Sequence, residues 1–217
     1  MRGCPVRSRK TPLLMLLMLC CGSTVTAVPA SSAPASCQPA ELFATDDTHD
    51  THDTDDLTLF ELQADVTIAG TGAAVSGSAL VDGVFWSPES QQISYERSRE
   101  FHLCVANAPT LHAAAAALRD QFHQQAVLTF AYLPKQAPDA DAILLTAPEV
   151  DLPRFRAAFA ADSAAQHRLL GGSVTTEEHT LILVVAENDL DLARRLVAEA
   201  GGNSATAAIA YGKREFV

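Results

Sequence analysis

Residues 102–135 (HLCVANAPTLHAAAAALRDQFHQQAVLTFAYLPK) and 180–213 (TLILVVAENDLDLARRLVAEAGGNSATAAIAYGK) are equal in length and share one plan. Each opens on an apolar strand, crosses a polar turn containing an asparagine (Asn107, Asn188), runs through an Ala/Leu-rich helical stretch and ends in a strand closing on Ala-Tyr. The switch from short apolar runs to helical spacing and back marks each segment as a βαβ unit. The strand entering the first unit shows period-2 alternation, with Phe101, Leu103 and Val105 set against His102, Cys104 and Ala106.

Between the two units, residues 142–147 read as a strand, 152–169 as a helix and Gly171-Gly172 as a turn. Upstream, Thr58-Leu59-Phe60-Glu61 has capping-box spacing and Gly70 is a stop signal, which predicts a helix over 59–69. Strands are expected over 79–87 and 92–106. The resulting order, βαβ-βα-βαβ, predicts an α+β fold: a two-layer α/β sandwich, ferredoxin-like, with repeated βαβ units plus an extra helix and strand. An open, mostly parallel α/β sheet is the alternative, because alternation does not set strand order. Residues 57–217 form one domain in this reading, long enough for one core.

The N-terminal stretch has a different character. Arg2, Arg7, Arg9 and Lys10 precede the apolar run LLMLLMLCC at 13–21, and Val25-Thr26-Ala27 supplies small residues for cleavage. This is the pattern of a signal peptide over 1–27, too short to span a membrane as a helix. A lipid anchor is disfavoured because Cys20 and Cys21 follow Leu19 and Cys20 rather than a small residue. Residues 28–56 combine a small, proline-spaced stretch with an acidic one and read as a disordered linker. The expectation is an exported soluble domain, periplasmic, cell-wall or extracellular.

Loss of residues 1–27 removes four basic residues and no acidic ones, moving the net charge from −11 to −15. Such a surface repels phosphate backbones and anionic lipid, so nucleic acid and membrane insertion are not expected of the mature form. Cleavage also leaves Cys37 and Cys104 as the two remaining cysteines, with a single intramolecular pairing open to them in an oxidising compartment.

Chemistry-bearing motifs are sparse. The glycines from Gly70 to Gly77 miss G-x-G-x-x-G spacing and read as a helix-to-strand loop. His49 and His52 among Asp50, Asp53 and their acidic neighbours offer imidazole and carboxylate donors for a divalent metal, although a solvated acidic tether has the same composition. His112 and His123 return to nearly the same helix face but stand about 16 Å apart along the axis. There is no G-x-S-x-G elbow, and Glu177-Glu178-His179 falls on a hairpin where neighbours diverge. No catalytic set is assigned and no cofactor is expected apart from that metal.

The strings ISYERSREF (93–101) and IAYGKREF (209–216) echo each other apart from one inserted residue. Side by side in one sheet, their Arg97, Arg99, Lys213 and Arg214 would form a basic patch able to bind a carboxylate or other small anionic ligand. The leading functional expectation is therefore a non-enzymatic binding or protein-interaction module, in an oligomeric state the sequence does not decide. The alternative is a small exported hydrolase or metal-dependent enzyme, in which His102, His112, His123, His167 or His179 converge with carboxylates.

Overall fold

The computed structural model describes residues 37–45, 54–82, 85–86, 93–94 and 98–217. The first half runs β1 (Gln38–Thr45), α1 (Thr54–Gly70), β2 (Ala74–Asp82), the two-residue strands β3 (Phe85–Trp86) and β4 (Ile93–Ser94), β5 (Ser98–Val105), α2 (Ala108–Gln121) and β6 (Leu128–Tyr132). The second half runs β7 (Ala142–Ala147), α3 (Leu152–Ala161), α4 (Ser163–Arg168), β8 (Leu169–Thr175), β9 (Leu181–Val185), α5 (Leu190–Glu199) and β10 (Ala208–Phe216).

The strands do not form a two-layer sandwich or an open parallel sheet. β1-β5-β2-β8-β9-β7-β10-β6 close into a barrel, while β3 and β4 pair apart from it. Every pair among the described residues is antiparallel. This corrects both fold expectations, and the reason lies in what separates the strands of each βαβ unit. β5 and β6 run parallel but both bond to β1, which lies between them, and β7 stands likewise between β9 and β10. The closing pairs, β2 with β8 and β6 with β10, join one half to the other. No local pattern encodes a pairing over that separation.

β1 is itself a departure, since it lies within the stretch read as linker. Its Ala40, Leu42 and Ala44 are buried against Phe60, Ala64 and Ile68 of α1 and Leu111 and Leu118 of α2. On the second half, Ile143 and Leu145 of β7 and Leu181, Leu183 and Val185 of β9 meet Phe155, Phe159, Leu192 and Leu196 on the helices. Strand alternation turns the intervening residues to the barrel interior, where Phe43, Leu128, Phe130, Leu144, Ile182 and Val184 form a third cluster. Gly171 and Gly212 make room for it: a Cβ on Gly171 would stand 2.6 Å from the Leu128 side chain, and one on Gly212 2.5 Å from the Phe130 ring. Gly171-Gly172 is accordingly strand rather than turn.

Helix boundaries follow their caps. The Asn107 side chain accepts from the Thr110 amide at 3.0 Å and starts α2, with Pro109 in its first turn. Asp151 does the same for α3 through the Arg154 amide at 2.8 Å. Asp162 accepts from Ala164 and Ala165, starting α4 and breaking in two the helix expected over 152–169. Helix α1 begins at Thr54, so Glu61 lies inside it rather than at a capping position. Cys37 and Cys104 form the expected disulfide, with Cα atoms 5.2 Å apart, and staple the start of β1 to the end of β5. Among the described residues, no helix is long and apolar enough to cross a membrane.

Candidate functional site

Register brings three polar side chains together. Glu41 of β1 is the cross-strand partner of His102 on β5, and Glu100, two residues earlier, shares the inward face of that strand. β6 flanks β1 on its other side and supplies Tyr132. The Tyr132 hydroxyl donates to one Glu41 oxygen at 2.8 Å, and His102 Nδ1 lies 2.6 Å from the other. Glu41 is 7% exposed and Glu100 4%, so both carboxyls sit away from bulk water.

Burial and charge set the protonation of this group. Glu100 is pushed up to about 8, chiefly by burial and then by the neighbouring Glu41 charge, with His102 opposing. Glu100 has no hydrogen-bond partner among the described residues. His102 is raised, first by its hydrogen bond to Glu41, against burial, and further by the charges of Glu41, Glu100 and Glu178. Burial and the Glu41 charge push Tyr132 up as well, which keeps its hydroxyl a donor.

These residues line a cavity of about 640 Å³ at the polar end of the barrel interior, together with Thr146, Thr175, Thr180, Glu177 and Glu178. Its mouth follows from the weakest seam. β2 pairs with β8 only at Val81↔Thr175 and Asp82↔Val174, leaving the earlier part of β2 parted from β8. Glu61, Ser78 and Arg99 from the outer side of that seam also line the cavity. Arg99 is held there by Glu61 at 3.2 Å and donates to the Ser78 hydroxyl at 3.1 Å. Ser78 in turn donates to Glu61.

The residues proposed from sequence are dispersed. Arg97, His49, His52, Asp50 and Asp53 lie outside the described residues. Arg99 is on β5 and Lys213 and Arg214 on β10, two strands separated by β6 and β1, so these three do not form a basic patch. Lys213 and Arg214 diverge as strand neighbours must, the first exposed and the second half-buried with its guanidinium 5.8 Å from the Phe216 ring. Of the histidines considered for catalysis, His102 enters the cavity, whereas His112, His123, His167 and His179 are exposed. His179 lies on the β8–β9 turn and lines a separate depression.

Sequence reading missed Glu41, Glu100 and Tyr132. The alternation that places His102 opposite Phe101 and Leu103 extends back to Glu100, a carboxylate on the same face as a histidine. That signal was available. Glu41 had none, because its strand was not recognised.

No family model matches the chain, and no curated protein matches it. Among solved structures, a proposed glycine cleavage system transcriptional repressor is 11% identical, with 84% of this chain and 98% of that chain covered, at a TM-score of 0.28. A protein of unknown function from Galdieria sulphuraria is 12% identical over 83% of this chain and 99% of its own, at 0.26. A mutant chlorite dismutase from Candidatus Nitrospira defluvii, in complex with cyanide, is 12% identical over 82% and 92%, at 0.28. Likeness at this level transfers no function.

Proposed function

We propose that this chain is an exported, non-enzymatic binding module that takes a small cationic ligand into the barrel cavity. One observation carries the reading: among the described residues, five glutamates (Glu41, Glu61, Glu100, Glu177 and Glu178) line a single cavity, and the four besides Glu100, which burial keeps protonated near neutrality, still outnumber its one arginine and one histidine. The arginine, Arg99, is already engaged by Glu61. The volume falls within the range of small-molecule sites, and a low-dielectric wall strengthens the attraction of carboxylates for a cation. Of the four residues expected to hold an anionic ligand, Arg99 is separated from Lys213 and Arg214 by β1 and β6, and Arg97 lies outside the described residues, so the described residues give that ligand no support. The Cys37–Cys104 bridge supports export, because disulfides persist in oxidising compartments.

The test is a thermal-shift series on the chain with a diammonium compound, a quaternary ammonium compound, citrate and phosphate. A ligand that binds only the folded state at 100 times its Kd stabilises by about 2.7 kcal/mol, roughly 5–10 °C for a domain of this size. Cations are expected to raise Tm and anions to leave it unchanged. The opposite ranking, or no shift with any cation, would refute the proposal.

A further inference from the structure

We infer that Glu41, Glu100 and His102 form a binding site for a first-row divalent transition metal, with zinc the best match. The inference rests on the cavity being a cation site and names which cation it holds.

The donor atoms of the three residues all lie within 4.8 Å of one another, on adjacent paired strands. Ligand atoms bonded to one zinc at about 2.0–2.2 Å stand some 3–3.6 Å apart, so side-chain adjustments without backbone movement suffice. His102 Nδ1 and its Glu41 oxygen, 2.6 Å apart, already share one proton. A metal ion would take that proton's place between them, and Glu100 would close the third side.

Glu100 is the independent observation. The Glu100 residue is 4% exposed, lines the cavity and has no hydrogen-bond partner among the described residues, so its carboxyl is left to whatever fills the space before it. Tyr132 adds the outer support usual at metal centres, because its hydroxyl holds the Glu41 oxygen that would face away from the ion. One imidazole and two carboxylates suit a borderline ion better than calcium, which takes six to eight oxygens. Three protein ligands would leave a coordination position open toward the cavity.

The experiment uses Co²⁺ as a spectroscopic stand-in for Zn²⁺. Co²⁺ should give visible d–d bands that Zn²⁺ abolishes at one equivalent. His102→Ala and Glu100→Gln should each weaken binding by more than about 100-fold, and Tyr132→Phe by roughly 10–100-fold. A His49→Ala/His52→Ala double variant should bind as the parent does. In the unsubstituted protein, substoichiometric Co²⁺ should perturb the NMR signals of residues around 41 and 100–102 first, a readout independent of whether the variants fold. Absence of bands, retention of affinity in both His102→Ala and Glu100→Gln, or loss of binding in the His49/His52 variant would overturn the inference. If a diammonium ion raises Tm while no metal binds, the metal assignment fails and the cation-binding cavity stands. If neither binds, both fall.

Discussion

Replacing Glu100 with glutamine should make the protein more stable, and increasingly so as pH rises. In the folded state the Glu100 carboxyl is lifted from 4.5 to about 8. Below pH 4.5 both the folded and the unfolded chain hold the proton, so the group leaves stability unaffected. Between 4.5 and 8 the unfolded chain releases the proton and the folded one retains it. Stability then falls by about 1.4 kcal/mol per pH unit. Above 8 both forms are ionised and the deficit is constant, at an upper value of about 5 kcal/mol, a large share of the 5–15 kcal/mol typical of a folded domain. Glutamine is nearly isosteric with the protonated acid and carries no such penalty. Urea denaturation of both proteins in chelator-treated buffer from pH 4 to 9 should therefore show near equality at pH 4 and a gap of a few kcal/mol in favour of the variant at pH 9. A gap that is flat across that range, or that favours the parent at high pH, would mean that Glu100 ionises normally and that the cavity wall is wetter than its burial implies.

Three further outcomes are expected. Tyr132→Phe removes the 2.8 Å hydrogen bond to buried Glu41 and should cost about 1–3 kcal/mol in chemical denaturation, a change within 0.5 kcal/mol counting against the bond. Reduction of the Cys37–Cys104 bridge, which spans a sequence separation of 67, should lower stability by about 4 kcal/mol, and an unchanged midpoint with dithiothreitol would show that β1 holds without its staple. Gly212→Ala should destabilise by about 1–3 kcal/mol, since its Cβ would meet the Phe130 ring at 2.5 Å and the Ala131 carbonyl oxygen at 2.3 Å. By contrast, Gly70→Ala, with nothing within 4 Å, should be neutral or stabilising, so equal effects of the two on Tm would contradict the interior packing.

What the sequence by itself determined is local. Helix α2 was legible because Asn107, Pro109 and an Ala/Leu stripe are all decided within one or two turns. Strand β7 was found at its observed bounds because a short apolar run between polar stretches has few other conformations. The disulfide followed from counting cysteines, a global constraint that needs no geometry. Tertiary structure decided the rest. β1 is rich in small residues beside an acidic run, and only pairing with β5 and β6 makes Gln38–Thr45 a strand. Strand order and closure depend on pairs between the halves, β2 with β8 and β6 with β10, whose energy is not expressed in either partner's own residues. The site shows the same division. Glu41 and His102 are 61 positions apart and meet only because register places them opposite each other. Periodicity states which face a side chain takes, whereas the identity of the residue across from it is known only once the strands have paired.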